Sequence, residues 1–396
     1  MTPLATEYVG ERGVLFRLAL KASVLTVLTL GIYRFWMKTR LRRYYWSAIR
    51  PGGAPLEYTG QPLEKLLGFL VAVVVMAFYI GVVNLILMFF SFALFQGNVT
   101  AYALSFIGVL PIIFFAQYRA RRYILARTRW RGIRFGLEPG AWGYAWRAMF
   151  YWALAIATLG LLYPLKAFRL EKYLIDRTHF GSMTFQQGGR WTMLYGPLKH
   201  AFYAIAVLAV SIGAAVLSDN ETWLALAVLA APWAGFAGAY WRAHSWRLLT
   251  DHKELGEVRF RSTPRAGRVL GIWLLGGFLI YLSVLAIIFA LLIGVVALLA
   301  ASASVEMIEF LNNLEENFDT IPAWIFTLAG IGIYFSFFLL GSALSHTFIT
   351  LPMAAHFASQ TQILNPEALA GIDQRARDEF AEAEGFADAL DVGAAL

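Results

Sequence analysis

The stretch RARRYILARTRWRGIRF, residues 119–135, decides how this chain is read. Arg119 and Tyr123 stand four apart and so share one face of a helix. Gly132 then marks a turn, and Phe135 lies in a short segment that alternates apolar and polar residues. The arrangement recurs three times: Arg40 pairs with Tyr44, Arg169 with Tyr173, and Arg242 with Trp246. Downstream of these come Gly53 and Tyr58, Gly181 and Phe185, and Gly256 and Phe260. The gap of three to five residues between each Gly and its aromatic suits a turn into an extended segment. Each cassette closes an apolar stretch.

The apolar stretches set the class. Of 396 residues, 59% are hydrophobic, and the mean hydropathy is +0.60. That exceeds what one water-soluble core needs and predicts an integral membrane protein. Crossing a hydrocarbon core takes roughly 20 helical residues. Runs of sufficient length cover 66–95, 99–118, 192–217, 222–241, 267–300 and 322–345, while shorter ones at 18–37 and 145–165 carry Arg17, Lys21 and Arg147 near their starts. The chain has no cysteine, which removes disulfide and thiolate chemistry and leaves the redox compartment open. Residues 1–12 do not read as a removable signal peptide. The net charge of +8 is concentrated beside membrane exits. Positive-inside placement explains it without a nucleic-acid partner.

A shift of 129 residues superposes Thr29-Leu30-Gly31 on Thr158-Leu159-Gly160, Arg40 on Arg169 and Tyr44 on Tyr173. A shift of 123 superposes Arg119 on Arg242. This self-similarity predicts membrane repeats at 1–136 and 137–260, a degenerate helix hairpin at 261–360, and an acidic tail at 361–396. The expected fold is an all-α polytopic membrane protein: a repeated helical bundle with short re-entrant or interfacial segments and a small cytoplasmic β element. Leu56-Glu57-Tyr58, Ile133-Arg134-Phe135, Met183-Thr184-Phe185 and Val258-Arg259-Phe260 are the strands expected for that element.

Two topologies compete. The hairpin loops 96–100, 218–222 and 301–321 hold no Lys or Arg, and the last is acidic through Glu306, Glu309, Glu315, Glu316 and Asp319. With every cassette in the cytoplasm, 18–37 and 145–165 must re-enter. If those segments cross instead, successive units are inverted as in many transporters, and the clusters 119–134 and 166–177 fall on opposite faces. In the tail, Asn365-Pro366-Glu367 reads as a helix start leading to about residue 384.

As chemistry, the cassettes offer an anionic-ligand or lipid-binding surface made of Arg40, Arg43, Tyr44, Arg119, Arg122, Tyr123, Arg169, Lys172, Tyr173, Arg242 and Trp246. Each basic residue near an anionic leaflet contributes about 1 kcal/mol. The competing reading is topogenic charge with interfacial aromatics. Polar residues at membrane depth are Asn84, Lys199, His200 and His346. The six histidines have no metal-ligand spacing, and no nucleophile elbow, Walker loop or HExxH occurs. Neither a metal, a cofactor nor an enzymatic activity is therefore expected.

Thr29-Leu30-Gly31-Ile32-Tyr33, then Trp36 and the basic helix from Arg40 to Tyr44, followed by Tyr58 and Gly60, resemble the YjgN family of bacterial multi-pass inner-membrane proteins of unknown function. The likeness runs from about residue 8 to 360. Where that family commonly has Pro before the Trp, this chain has Phe35. The resemblance implies a bacterial inner-membrane location and transfers no activity. The resulting expectation is a non-enzymatic transport or anion-binding module with membrane lipids as partners, a cytoplasmic C-terminal tail and homo-oligomerisation left open. The alternative is a scaffold or assembly factor working through its cytoplasmic face and tail.

Overall fold

Short strands and tight turns organise the structure, a computed structural model that describes residues 2–95, 99–302 and 323–376. Arg131 and Gly132 both adopt positive φ, 50° and 80°, between the paired residues Trp130 and Ile133. A two-residue loop with both φ values positive matches the twist of the strands it joins. Gly181 and Gly256, at φ 54° and 60°, open the equivalent turns after Phe180 and Leu255. Gly53, at φ 78°, lies in the link between Pro51 and Leu56.

Ten strands result among the described residues: β1 (Leu4–Tyr8), β2 (Ile49–Pro51), β3 (Leu56–Tyr58), β4 (Thr128–Trp130), β5 (Ile133–Leu137), β6 (Thr178–Phe180), β7 (Met183–Gln187), β8 (Lys253–Leu255), β9 (Val258–Ser262) and β10 (Thr361–Leu364). They form one antiparallel sheet in the order β2-β1-β10-β9-β8-β7-β6-β5-β4-β3. Its two end strands are consecutive in the chain, so the sheet curls into a nearly closed barrel.

This overturns the expectation of an all-α bundle with a minor β element. The four expected strands are present, but each pairs with a strand that the sequence pattern does not reveal, and both ends of the chain contribute one more. Strands of three residues supply a single alternation, too little for a periodic signal.

Register fixes the barrel's interior. Residues opposite each other across a strand pair project to the same face, and Leu56, Trp130 and Ile133 form one such row. Phe135, Phe180 and Met183 form the next, then Phe185, Leu255 and Val258, then Phe260, Ile363 and Leu4. These side chains make one apolar cluster. Phe135 and Phe180 approach to 4.6 Å between ring centroids, and Phe185 and Phe260 to 5.9 Å.

The C-terminal segment closes this core. Asn365 does not cap a long helix: it sits at φ 54° and donates Nδ2 to the Glu257 carbonyl at 3.2 Å. A 3₁₀ turn, Pro366–Gly371, comes next. Ala368, Leu369 and Ile372 then pack into the barrel cluster. Burying these residues draws the chain onto the barrel in place of the expected helix, and residues 377–396 lie outside the described residues.

Between neighbouring strands the chain makes helical excursions. The chain divides into two compact units, of which the first comprises residues 1–9, 42–270 and 354–396 and holds the entire sheet. In it, α3 (Pro62–Phe95) and α4 (Val99–Ala126) connect β3 to β4. α5 (Ala141–Ala157) and α6 (Tyr163–Ile175) connect β5 to β6, and α7 (Tyr195–Ser218) and α8 (Ala225–Asp251) connect β7 to β8. Each excursion therefore leaves from and returns to hydrogen-bonded antiparallel neighbours. The tight turns lie at the opposite strand ends. α5 has 17 residues, about 25 Å at 1.5 Å per residue, which falls short of the roughly 30 Å hydrocarbon core. α7, with 24 residues, exceeds it.

Inverted repeats are incompatible with this path. They require the clusters 119–134 and 166–177 on opposite sides of a membrane, yet β5 and β6 pair directly, Phe135 with Phe180. The α5–α6 segment goes out and comes back. At its tip Leu159 and Gly160 take φ 49° and 85°, Gly160 N–H donates to the Ala155 carbonyl at 2.7 Å, and Thr158 Oγ1 donates to the Leu154 carbonyl at 2.8 Å.

The second unit comprises residues 10–41 and 271–353. α1 (Arg12–Leu28) buries Leu15, Ala19, Ala22 and Ser23 along one stripe and packs on α10 (Ala323–Ser345). Leu30 and Gly31 form its tip at φ 50° and 93°, with Gly31 N–H donating to the Thr26 carbonyl at 2.7 Å. The pattern matches the tip at Leu159-Gly160 residue for residue. α2 (Arg34–Ala48) then runs into β2. α9 (Ala266–Ser302) starts directly after β9, and α11 (Leu351–Ser359) runs into β10.

Among the described residues, four helices are long and apolar enough to cross a membrane: Trp191–Ser218, Glu221–Asp251, Ala266–Ala297 and Gly330–Ser359. Their apolar faces are open, with Val210, Leu217, Leu274 and Phe278 exposed. Along α5, Trp142, Trp146 and Phe150 form an exposed aromatic stripe at a spacing of four. This suits an interfacial belt.

An arginine-lined cavity on the outer face of the sheet

The face opposite the barrel's interior is polar. Glu57, Arg129 and Arg134 form a row across β3, β4 and β5, and Gly136, His179 and Thr184 form the row across β5, β6 and β7. Gly136 leaves room for an imidazole, because a Cβ there would collide with the His179 ring. Above these rows α3 begins and α4 ends. Thr59 N–H donates to the Arg127 carbonyl at 2.8 Å, tying the start of α3 to the end of α4.

Between sheet and helix ends lies a cavity of about 240 Å³. Its lining includes Arg122, Arg127, Arg129, Arg134, Arg375 and His179, with Glu64 as the acidic residue. Arg127 meets Glu64 at 2.9 Å, and Tyr123 donates its hydroxyl to the same carboxylate oxygen at 3.2 Å. Arg122 Nε donates to the Leu137 carbonyl at 3.1 Å. Arg375 meets Glu138 at 3.6 Å. The Nε atoms of Arg127 and Arg129 are buried without a hydrogen-bond partner among the described residues. A buried donor left in that state costs about 1–3 kcal/mol, more when charged. Five guanidinium groups lining a cavity with one carboxylate form an electropositive concavity suited to phosphate or carboxylate oxygens.

Of the residues singled out in the cassettes, Arg122 lines this cavity. Tyr123 and Tyr173, 4% and 9% exposed, are packing residues. Tyr173 donates its hydroxyl to the Gly140 carbonyl at 2.9 Å beneath Arg147 and Arg177. Lys172 reaches the Gln187 carbonyl at 2.7 Å and Asp176 at 2.9 Å. Arg43 donates to the Gly60 carbonyl at 3.0 Å. Arg40 lies over Tyr33, Arg119 over Phe115, and Arg242 over Phe357, against which Trp246 also packs. Tyr44 is half-buried, and Arg169 is exposed. Arg127, Arg129, Arg134, His179 and Arg375 stand outside the cassette positions that the sequence picks out. Arg127 lies in the turn between α4 and β4, Arg129 lies within β4 and Arg134 within β5, and it is the pairing of β4 with β5 that sets Arg129 opposite Arg134.

Lys199 and His200 occupy a regular stretch of α7 rather than an irregular one. Lys199 lies over Tyr240 at 5.6 Å, and the His200 ring packs among Tyr203, Trp233, Phe236 and Tyr240. His346 begins a π-helical turn. Asn84 lies on α3, its side chain outside the described residues.

One ion-pair hub ties the cassettes together. Glu171 on α6 meets Lys253 of β8 at 3.1 Å and Arg121 of α4 at 3.8 Å. Burial pushes its carboxyl pKa up, but Lys253 and Arg121 outweigh burial and hold it down at about 2. A carboxylate with a depressed folded-state pKa contributes stability that is present above its unfolded value, about 4.3, and is lost as pH falls through the folded one. Melting temperature should therefore decline between about pH 4.5 and 2, and Glu171→Gln should flatten that decline. An identical pH profile in the variant would show that the hub does not carry this stability.

A nearly closed antiparallel barrel whose strands are joined by helical hairpins, with four helices among the described residues long and apolar enough to span a bilayer, fits a membrane protein. The chain belongs to the family described as bacterial protein of unknown function (DUF898), whose model matches residues 3–285, and this is the YjgN family that the TLGIY run and basic helix resemble. Comparison with curated proteins and with solved structures found no match.

Proposed function

We propose that this protein is a non-enzymatic inner-membrane module that binds an anionic solute or lipid head group in the arginine-lined cavity. The observation that carries the reading is the pair of buried Nε donors of Arg127 and Arg129, without a hydrogen-bond partner among the described residues, in a cavity lined by five arginines and one carboxylate. The barrel faces the cytoplasm in this reading, because the helix ends that enter it are basic while the loop 218–222 has no Lys or Arg. The chain is a duplicated unit in which each copy supplies a helix end and a strand pair. The ligand offers phosphate or carboxylate oxygens, which accept bidentate contacts from guanidinium groups.

The double variant Arg129→Gln/Arg134→Gln tests this. A hydrogen bond to a charged group contributes about 1.5–3 kcal/mol, so losing two should weaken binding by about 100-fold or more. Equilibrium dialysis with inorganic phosphate reads a free anion, and native mass spectrometry with phosphatidylglycerol against phosphatidylcholine reads a lipid head group. Arg375→Gln, at the cavity's edge, is the second variant in case the double one does not fold. Unchanged binding of both probes by a folded variant would refute the site.

A further inference from the structure

Three basic side chains converge on one tyrosine ring, at the end of the α7–α8 hairpin that joins the sheet. Lys199 Nζ lies 5.6 Å from the Tyr240 ring centroid, the His200 ring meets that ring edge to face at 4.5 Å, and the His244 ring stacks on it at 3.8 Å. Lys199 is exposed, and both histidines are half-buried. Among the described residues no carboxylate pairs with any of the three.

The two imidazoles are held in opposite tautomers. His200 Nδ1 is buried without a hydrogen-bond partner among the described residues. A buried N–H without an acceptor is disfavoured over a bare lone pair, so the neutral ring carries its proton on Nε2. His244 Nδ1 lies 3.1 Å from the Tyr240 carbonyl. A carbonyl only accepts, so here Nδ1 holds the proton and Nε2 the lone pair. Lys199 and His200 thus offer donors, and His244 offers an acceptor.

An apolar track leads away from this cluster. On α7, Tyr203, Val207 and Val210 follow His200 at the spacing of one helical face, and all three are exposed. Trp233, two turns before Tyr240 on α8, is exposed as well. Both helices lie in segments long and apolar enough to cross a membrane. Lys199 stands near the start of the first segment and His244 near the end of the second, so the polar cluster and the apolar track together match an amphiphile.

The geometry points to a lipid site on this hairpin: a glycerophospholipid whose phosphodiester meets Lys199 and His200, whose head-group donor reaches His244, and whose acyl chains follow the apolar track. None of these residues lines the arginine-lined cavity, so the site does not rest on the anion reading. A phosphate oxygen accepts from the Lys199 ammonium and from His200 Nε2. The His244 lone pair selects a head group that ends in N–H or O–H. Phosphatidylethanolamine has such a donor, and phosphatidylcholine has none.

Native mass spectrometry of the full chain in detergent tests the site with phosphatidylethanolamine, phosphatidylcholine and diacylglycerol. The ethanolamine lipid should bind about tenfold more tightly than the choline lipid, and diacylglycerol, which lacks phosphate, most weakly. Lys199→Gln alters an exposed side chain and should weaken binding of both phospholipids about tenfold; adding His200→Gln should weaken it further. His244→Phe keeps a ring against Tyr240 and should erase the difference between the two phospholipids. Equal binding of all three lipids, or undiminished phospholipid binding by folded Lys199→Gln, would overturn the site. A preference for ethanolamine that survives His244→Phe would overturn the role given to that acceptor. Phospholipid binding lost in Arg129→Gln/Arg134→Gln but kept in the hairpin variants would place the lipid in the cavity instead. Inorganic phosphate binding that is lost in the arginine variant and kept in Lys199→Gln would establish the two sites as separate.

Discussion

Trp130→Ala is expected to lower stability by about 3–5 kcal/mol, the cost of emptying a large aromatic site in a packed core. Trp130 is 4% exposed and lies in the barrel row with Leu56 and Ile133. Its ring packs on Phe180 at 5.8 Å, and Nε1 donates to the Ala54 carbonyl at 3.3 Å. The substitution removes both the apolar filling and the bond that anchors the link before β3. Near-ultraviolet circular dichroism during heating should show early loss of the barrel's aromatic signal, with the far-ultraviolet helix signal persisting to higher temperature. Coincident loss of the two signals at the wild-type temperature would deny the barrel its role as a distinct core.

Gly181→Val has the second large effect, because two costs coincide at one residue. At φ +54° a β-branched residue is strained, by about 1–3 kcal/mol. A Cβ there would also collide with the Asp373 carbonyl and come within 2.8 Å of Ile372 and 2.9 Å of Ile133; overpacking of this kind costs about 1–3 kcal/mol more. The terminal segment has to yield first. Limited proteolysis should open a cleavage site between residues 365 and 376 in the variant. Gly132→Ala is the control: φ is +80° and nothing lies within 4 Å of its Cβ, so about 1 kcal/mol of backbone strain is expected with no new cleavage. Equal protease resistance of all three proteins would contradict the packing described.

The turns were legible because a glycine before alternating residues is a strong local signal, and Gly132, Gly181 and Gly256 all lie in turns between paired strands. The partners of those strands were not legible. Thr128–Trp130, Thr178–Phe180 and Lys253–Leu255 are three residues long and lie within or beside basic runs. The pairing of β1 with β10 joins Leu4 to Ile363, a separation no local pattern records. The spacing of four between Arg and aromatic suggests a ligand face when only the sequence is considered. Tyr123 and Tyr173 are instead buried packing residues whose hydroxyls bond inside the fold. The cavity draws on strand residues, visible only once β4, β5 and β6 are in register.

Each helical excursion returns to the sheet it left, so the tight turns of that sheet are expected on one side of the membrane. Single cysteines at Arg131, Ser182 and Glu257, each exposed in one of these turns, and at Asn220, exposed between α7 and α8, test this directly. With a membrane-impermeant maleimide on intact cells and on inverted vesicles, the three turn positions should react from one side and Asn220 from the other. Labelling of Arg131 and Ser182 from opposite sides would contradict the account.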